Sequence, residues 1–412
     1  MSIITSKLSK IENISQKKLS EGINKGSIVV LKNKNRKIKP LAIGKGLSVK
    51  INTNIGTSTD SYDPKYELKK LNAALEAKAD TIMDLSVGGD IRKTRKVILA
   101  NSPIPVGTVP IYEAAIKAKK KFGDFSEMTP ELILETIEEQ AKDGIDFFTI
   151  HAGIDKNTVK RLQSKKRYGG VVSRGGAILV RWIIENQKEN PLITYFPQIL
   201  DIAKKYNIAL SLGDGMRPGA LSDSLDYFQI KELINLGKLV KLAKKKGVQV
   251  IIEGPGHVPI NQIELNVKLQ KELCYDTPFY ILGPLVLDSA LGFDHITSAI
   301  GSSIAAMHGA DFICVVTPKE HLGQPNPQDI KQGTIAAKIA AHAVNILKNK
   351  TLRQQENLLS KARRKRDWDN HIARSLFPRE AKKLTKGLKL SDVCTMCGNY
   401  CSLKIIDSCD LS

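Results

Sequence analysis

The chain has 412 residues, of which 42% are hydrophobic and 25% are charged, and its formal net charge is +21. This length predicts one large domain with appendages or two to three domains, and the composition is typical of a soluble globular protein. A membrane protein, a secreted protein and a disulfide framework are not expected. No apolar run is long enough for a membrane span, the N-terminus lacks an apolar signal segment, and three of the six cysteines are bunched together. We therefore expect a cytoplasmic protein.

The strong positive charge raises the question of a nucleic-acid partner. Its densest patch is 361–366, but the lysines are otherwise spread along helix-like segments, and only 5% of residues are aromatic. Base-stacking surfaces need more aromatic side chains than this. We therefore expect the charge to attract anionic small molecules, and we expect no nucleic-acid partner.

The predicted elements begin with a small N-terminal region, residues 1–70. It has a lysine-rich helical stretch, and then residues 47–55 alternate apolar and polar side chains in the manner of a strand. From 71 to 345, short apolar runs alternate with helical patterns. The runs are 80–85, 106–110, 147–151, 170–173, 208–212, 248–253, 279–282 and 312–317. Continuous apolar character is typical of parallel strands buried on both faces. Eight strand–helix alternations predict an α/β fold, a (β/α)8 barrel, with an open doubly wound sheet as the alternative.

Glycine and polar residues follow the predicted strands. The segments are 86–90, 111–112, 151–153, 173–176, 213–219, 253–257, 283–284 and 317–321. In a barrel all of these lie at the carboxyl-terminal rim, where barrel enzymes build their active sites. The rim is therefore the predicted active site.

Two rim segments suit an anion. Ser173 and Arg174 open a predicted helix, whose free N–H groups and guanidinium suit a phosphate. The alternative is an N-cap serine beside a solvent-exposed arginine. Asp214 and Arg217 form either a structural ion pair or ligand contacts, and we favour ligand contacts because proline and glycine pin the loop that follows.

Glu253, His257 and His321 are a candidate metal site, or an acid–base set that works without a metal. His151, directly after a predicted strand, is expected to contact a ligand. Cys314 lies inside an apolar run and is expected to be a buried thiol that behaves as a small apolar side chain.

Residues 346–412 are expected to form a helical, basic domain that ends in a C-x2-C-x3-C cluster. Cys394, Cys397 and Cys401 can hold one metal centre from one side. Two uses stay open on spacing alone. One is a [4Fe–4S] cluster with one iron left open, and the other is a structural zinc with Cys409 as fourth ligand.

Taken together, the motifs closely resemble the phosphomethylpyrimidine synthases, the thiamine pyrimidine synthase family. The resemblance covers roughly residues 45–405, and its motifs are 54–58, 83–86, 101–112, 173–176, 211–219, 253–257, 317–323 and 394–398. It implies a radical S-adenosylmethionine enzyme, in which an electron from a [4Fe–4S] cluster cleaves S-adenosylmethionine to methionine and a 5′-deoxyadenosyl radical. That radical rearranges 5-aminoimidazole ribotide into 4-amino-5-hydroxymethyl-2-methylpyrimidine phosphate, with formate and carbon monoxide as by-products.

The resemblance also assigns residues and partners. Substrate contacts fall on Asn54, Met83, Tyr112, His151, Ser173, Arg174, Gly175, Asp214, Gly215, Met216, Arg217, Glu253 and Tyr280. Glu253 and Asp214 are expected to be catalytic. His257 and His321 match ligands of zinc or another divalent metal, and Cys394, Cys397 and Cys401 match the cluster ligands, so that Cys409 is a spare. A homodimer and a reduced flavodoxin- or ferredoxin-type electron donor are implied. Asn54 precedes the first predicted barrel strand, so a flanking hairpin is expected to fold over the rim.

Two departures from the family pattern leave alternatives open. The familiar bacterial cluster loop is C-x2-C-x4-C, one residue longer than here, and the usual N-terminal extension is largely missing. A related enzyme, 5-hydroxybenzimidazole synthase, acts on the same ribotide and stays open as a second identity. From other classes, a zinc-dependent barrel hydrolase and a basic nucleic-acid-binding module with a zinc knuckle are the alternatives.

Overall fold

The computed structural model describes residues 2–388, 393–407 and 409. The chain divides into two compact units, Met1–Val344 and Asn345–Ser412. Among the described residues, no helix combines the length and the apolar character that a membrane crossing needs.

The described residues form ten strands and eighteen α-helices. The strands are β1 (Ile28–Leu31), β2 (Leu41–Gly44), β3 (Lys50–Ile55), β4 (Thr81–Asp84), β5 (Val106–Thr108), β6 (Phe147–Ile150), β7 (Ala209–Leu212), β8 (Val250–Gly254), β9 (Phe279–Leu282) and β10 (Phe312–Cys314). The helices are α1 (Ser2–Glu12), α2 (Gln16–Lys25), α3 (Pro64–Glu76), α4 (Ile91–Asn101), α5 (Pro110–Phe122), α6 (Pro130–Asp143), α7 (Lys156–Ser164), α8 (Arg174–Asn186), α9 (Pro191–Thr194), α10 (Phe196–Tyr206), α11 (Tyr227–Lys246), α12 (Ile263–Leu273), α13 (Asp294–His308), α14 (Pro327–Lys348), α15 (Lys350–Arg364), α16 (Trp368–Ala373), α17 (Pro378–Leu384) and α18 (Ser402–Asp407).

Strands β3 to β10 form a closed parallel barrel in the order β10-β3-β4-β5-β6-β7-β8-β9. The ring closes where Asn52 of β3 stands opposite Cys314 of β10. The predicted (β/α)8 barrel is confirmed. Continuous apolar strands were the right indication of it, because helices cover the outer face and side chains fill the interior.

Two of the strand predictions are wrong. Residues 50–55 form the first barrel strand rather than a strand of a separate N-terminal region. Residues 170–173 lie in the loop before α8 instead of forming a strand. Gly170 has φ +66°, a left-handed conformation that interrupts an extended chain, and the Val172 side chain is 45% exposed. That run therefore lacks the two buried faces of a barrel strand.

The antiparallel hairpin β1–β2 lies at the amino ends of the barrel strands, away from the rim. Val30 N donates to Gln249 Oε1 over 2.6 Å, and Asn33 N donates to Asp146 Oδ1 over 2.8 Å. Gln249 and Asp146 directly precede β8 and β6. The expectation of a hairpin folded over the rim is therefore wrong, and it is also unnecessary, because β3 itself carries Asn54 into the barrel.

A small hydrophobic cluster joins this hairpin to the first two helices. Its buried members are Leu8, Leu19, Ile28, Ala42 and Leu47. The main core is separate and contains the barrel strands with the inner faces of the surrounding helices. The N-terminal residues therefore add a second core beneath the barrel.

Candidate active site

A cavity of about 510 Å³, part of it open to solvent, lies at the carboxyl ends of the barrel strands. Eight of the thirteen predicted substrate residues line it. They are Asn54, Met83, Tyr112, His151, Asp214, Arg217, Glu253 and Tyr280. These side chains come from seven of the eight barrel strands or from the loop or helix that follows each strand. The barrel thus brings together residues separated by up to 226 positions in the chain.

One wall of the cavity is a hydrogen-bonded polar corner on β3, β9 and β10. Asn54 Nδ2 donates to Cys314 Sγ over 3.1 Å. Asn52 Nδ2 donates to the Tyr280 hydroxyl over 2.7 Å and to Asn54 Oδ1 over 2.8 Å. Such a network fixes the Asn54 amide and the Tyr280 ring without help from a ligand.

Cys314 is a functional candidate that the sequence interpretation missed. It was expected to be an apolar filler, but its thiol lines the cavity. Strand residues alternate between faces, so Cys314 points to the interior when Ile313 points to the helices, and this alternation was the available signal. Burial raises the pKa of the Cys314 thiol to about 12, so it stays protonated.

Glu253 is held by two hydroxyl groups. Its Oε1 accepts hydrogen bonds from Thr149 Oγ1 at 2.7 Å and from Ser211 Oγ at 2.8 Å. Burial raises the pKa of Glu253, and the two hydroxyls act in the opposite direction. Neither Thr149 nor Ser211 was among the predicted site residues. Both are small hydroxyls inside apolar strands, which no sequence motif distinguished.

Asp214 and Arg217 form the predicted ion pair, with Arg217 Nη1 3.3 Å from Asp214 Oδ1. Within the described part of the chain, Asp214 Oδ2 is buried and has no hydrogen-bond partner. Burial raises the pKa of Asp214 to about 8, against the attraction of Arg217 and with the repulsion of Glu253. The Asp214 carboxyl therefore takes up a proton more readily than an ordinary aspartate, and both pair members line the cavity. The ion-pair and ligand-contact alternatives are thus compatible.

His151 lies between two glycines. A Cβ atom on Gly175 would come within 2.3 Å of His151 Cε1, and one on Gly213 would come within 2.8 Å of Cδ2. Burial lowers the pKa of His151 to about 3, with a further contribution from Arg217, so the ring is neutral. Considering only residues that the structure describes, its buried Nδ1 has no partner. A fixed, neutral imidazole with a free nitrogen suits a hydrogen bond to a ligand.

The predicted anion-binding loop stands beside this cavity rather than lining it. Ser173 caps α8, since its Oγ accepts from Gly176 N at 3.2 Å. The Arg174 guanidinium lies over the Tyr112 ring, 4.9 Å from its centroid. The serine thus matches the N-cap alternative, while the arginine covers a cavity-lining ring instead of pointing freely into solvent.

Gly175, Gly215 and Met216 also lie outside the cavity lining. Met216 is fully buried. A Cβ atom on Gly215 would meet Ile154 Cδ1 at 2.3 Å. The two glycines allow close approach to their neighbours, and none of the three residues lines the cavity.

His257 and His321 lie together, with ring centroids 5.2 Å apart. His257 Nδ1 is 2.7 Å from Asp288 Oδ1, and His321 Nδ1 is 3.2 Å from Asp294 Oδ1. Metal-binding histidines characteristically donate one ring N–H to a carboxylate, which leaves the other nitrogen for the metal. The pair therefore fits two ligands of a divalent metal. In the described ranges, no three or more His, Cys, Asp or Glu side chains are grouped around a metal position.

The three terminal cysteines lie on a compact turn in the second unit. Gly398 N donates to Cys394 O over 3.3 Å, and Tyr400 N donates to Cys397 O over 3.0 Å. Gly398 has φ +52°, which turns the chain sharply between the second and third cysteines. Cys397 is exposed, Cys394 is half-buried and Cys401 is buried. Three thiolates have the chemistry of an iron–sulfur donor set, but within the described ranges these three side chains are not gathered around a common metal position.

The fold and this cavity define the chain as an α/β-barrel enzyme whose mouth holds a carboxyl pair, an arginine and a neutral histidine. Residues 2–408 match the model of the Radical SAM ThiC family. The chain belongs to this family, as its motifs predicted.

Relatives over nearly the full length agree with this membership. Phosphomethylpyrimidine synthase from Caldanaerobacter subterraneus subsp. tengcongensis is 53% identical over 96% of this chain and 92% of its own. The same enzyme from Thermoanaerobacter sp. (strain X514) is 52% identical over 97% and 93%. Among solved structures, a sulfonamide complex of Yersinia pestis dihydropteroate synthase is similar with a TM-score of 0.45 and 13% identity, over 76% of this chain and 98% of that one.

Proposed function

We propose that the chain converts 5-aminoimidazole ribotide into 4-amino-5-hydroxymethyl-2-methylpyrimidine phosphate by radical S-adenosylmethionine chemistry, for thiamine biosynthesis. The observation that carries the proposal is the cavity at the barrel mouth, which is lined by eight residues that the family resemblance assigns to the substrate. The family description and the names of the relatives support the same reaction.

The residues of the barrel would bind and orient the ribotide. Arg217, with Arg174 over Tyr112, supplies guanidinium groups for the phosphate. Asp214, whose pKa burial raises, can accept a hydrogen bond from the substrate or donate one after taking up a proton, and Glu253 can accept or return a proton while two hydroxyls hold it. The neutral His151 ring would fix a polar group of the substrate.

Two inorganic groups belong to the proposal. A [4Fe–4S] cluster held by Cys394, Cys397 and Cys401 would supply, when bound, the electron that releases the 5′-deoxyadenosyl radical from S-adenosylmethionine. His257 and His321 would hold zinc or another divalent metal through Nε2, since their Nδ1 atoms face carboxylates. We further propose a homodimer and a flavodoxin- or ferredoxin-type donor, in a cytoplasmic setting.

The decisive test is turnover by anaerobically reconstituted enzyme. Incubation with 5-aminoimidazole ribotide, S-adenosylmethionine and dithionite should give the pyrimidine phosphate, 5′-deoxyadenosine and formate, identified by mass spectrometry. A 5-hydroxybenzimidazole product would instead favour the related synthase. A colourless, zinc-only protein that forms no 5′-deoxyadenosine would contradict the radical proposal.

A variant of the cysteine turn tests the ligand assignment. Cys397→Ala should abolish 5′-deoxyadenosine formation, because two thiolates no longer complete the three-sulfur set. Circular dichroism and barrel unfolding should stay unchanged. Cys274→Ala is a control for cysteine removal, since this buried thiol lies on the barrel unit, where its Sγ is 3.8 Å from the Leu233 carbonyl oxygen. Full activity of Cys397→Ala would refute the assignment.

A further inference from the structure

The loop that carries Asp214 and Arg217 is held by its backbone from two sides. On the N–H side stands Glu232 of α11, whose side chain is buried at 2% exposure. Glu232 Oε2 accepts from Met216 N at 2.8 Å, and the Gly215 backbone N–H also faces this carboxyl. The Glu232 carboxyl group thus anchors the backbone between the two cavity-lining residues, Asp214 and Arg217.

On the carbonyl side stands Arg167, in the loop between α7 and α8. Its Nη2 donates to Met216 O over 3.1 Å, and its Nη1 lies 3.4 Å from Arg217 O. Nη1 also donates to Gly170 O over 3.0 Å, three residues before the Ser173 cap of α8. Arg167 Nε lies 2.6 Å from Asp226 Oδ2, which fixes the guanidinium, and the Arg167 side chain is only 1% exposed. Arg167 therefore ties the Asp214–Arg217 loop to the loop that precedes Arg174.

We propose that Glu232 and Arg167 are positioning residues that clamp the backbone of Met216, one at its N–H and the other at its carbonyl. This clamp would orient Asp214 and Arg217 into the cavity. Neither side chain lines that cavity, although Glu232 borders a smaller adjoining pocket that also contains Asp214 and Arg217. We assign both residues a role through the loop because their hydrogen bonds go to its backbone. This inference deepens the proposed function and rests on it for the identity of the ligand. The geometry of the clamp is independent of that identity.

We infer that Glu232 acts in this clamp as a hydrogen-bond acceptor that does not need a negative charge. Burial raises its pKa well above the ordinary value, and repulsion from Asp214 acts in the same direction. Across the residues described, its second oxygen, Oε1, is buried without a hydrogen-bond partner, which would be costly for a charged carboxylate. A glutamine amide has the same shape and keeps the acceptor, so it should replace Glu232 with little loss.

The first measurement follows the loop itself in enzyme without substrate. Hydrogen–deuterium exchange of a peptide covering 213–219 should be at least roughly 10-fold faster in Glu232→Ala and in Arg167→Gln, because each loses a hydrogen bond on the Met216 peptide. Glu232→Gln should exchange within about 2-fold of wild type. Unchanged exchange in the alanine variant overturns the clamp, whatever reaction the enzyme performs.

The second measurement is kinetic and uses the reconstituted enzyme with ribotide. The KM for ribotide should rise roughly 10- to 100-fold in Glu232→Ala, while 5′-deoxyadenosine formation without ribotide stays at the wild-type level. In Glu232→Gln, KM should stay within about 3-fold of the wild-type value. Glutamine could not replace Glu232 in this way if the clamp required a negative charge. If glutamine fails as alanine does, the neutral-acceptor role is refuted.

A matched control separates the clamp from a general loss of an arginine. Arg181 pairs with Asp124 at 2.7 Å and lies over the Phe125 ring, as Arg167 pairs with Asp226 and lies over Phe228. Arg181→Gln should leave exchange of 213–219 and KM unchanged. Equal effects of the two arginine variants would overturn the proposal. Absence of ribotide turnover in wild type would instead refute the proposed function and leave the exchange result to decide the clamp.

Discussion

The two ends of the barrel use buried charge in opposite ways. At the amino end, aspartates that precede strands accept an amide from the start of the neighbouring strand and also pair with a cation. The aspartates are Asp80, Asp146 and Asp311, which accept from Ile51 N, Val106 N and Phe279 N at 2.9, 2.9 and 3.0 Å. Their cations are Lys338, Arg36 and Lys271, at 2.9, 2.7 and 2.5 Å.

At the carboxyl end, buried polar groups are left with unused capacity. Asp214 Oδ2 and His151 Nδ1 are buried, and neither finds a partner among the residues that the structure describes. Burying such groups costs free energy, which hydrogen bonds to a ligand can offset. The comparison teaches that aspartates paired with cations stabilise the amino end of the barrel, whereas two ionisable side chains of the cavity at the carboxyl end keep hydrogen-bonding atoms available for a ligand.

The largest expected effect comes from breaking the amino end. Asp146→Ala should lower the free energy of unfolding by about 3–5 kcal/mol, because it leaves the buried Arg36 guanidinium without its carboxylate and frees two backbone amides. Urea unfolding measures this. Lys45→Ala, which breaks the exposed pair with Asp276, should cost less than about 0.5 kcal/mol. Equal losses of unfolding free energy in the two variants would contradict a stabilising role for the buried ion pair at the amino end.

A substitution at the carboxyl end should affect stability less and binding more. In Gly175→Ala the new methyl would displace the His151 ring, so we expect a loss of about 1–3 kcal/mol in unfolding and weaker ribotide binding. Thermal unfolding and isothermal titration calorimetry measure the two effects. Gly323→Ala is the control, since within the described chain its Cβ would meet nothing within 4 Å. Undiminished ribotide affinity in Gly175→Ala would argue against His151 as a substrate contact.

The neutral state of His151 predicts a pH dependence. Because its pKa is lowered from 6.5 to about 3, the unfolded chain takes up a proton below about pH 6.5 that the folded chain refuses. His151 therefore contributes stability above that pH, and the contribution is lost as pH falls, by up to about 1.4 kcal/mol per pH unit. In His151→Gln, unfolding free energies between pH 7 and 5 should fall less steeply than in wild type. Parallel slopes would show that His151 is not held neutral.

The smallest effect should come from one hydroxyl beside Glu253. Thr149→Val removes the 2.7 Å hydrogen bond to Glu253 Oε1, so the pKa of Glu253 should rise further. The acidic limb of the kcat/KM profile should then move to higher pH by less than about one unit. Ser303→Ala, which removes a hydroxyl bonded within its own helix, should leave the profile in place. A shift of equal size in both variants would show that the acidic limb does not report the ionisation of Glu253.

Much of the barrel was predictable because strands buried on both faces have continuous apolar sequences. Strand β3 was predicted as a strand but not as a member of the barrel, and the reason is physical. Its polar residues face the barrel interior, where Asn52 bonds Thr81 Oγ1 and the Tyr280 hydroxyl, so it alternates like a half-exposed strand. The run at 170–173 failed in the opposite way, because its valines are apolar yet partly exposed.

The rim motifs predicted most of the cavity, since glycine and charge cluster after strands. They could not reveal Thr149, Ser211 or Cys314, which lie inside strands and differ from core residues only by the face they occupy. Glu232 and Arg167 were equally hidden, because they act through the backbone of a loop more than ten residues away in sequence. Contacts of this kind depend on packing and leave no local pattern.

The pairing of β3 with β10 has a consequence for synthesis of the chain. The first and last strands of the ring are joined only when Ile313 stands opposite Ile51. Until residues near 314 have left the ribosome, the nascent sheet has two unpaired edges, at β3 and β9. Open edges invite pairing with other chains. The arrival of β10 removes both edges at once, so the last strand to be synthesised ends the interval in which the nascent barrel is prone to aggregate.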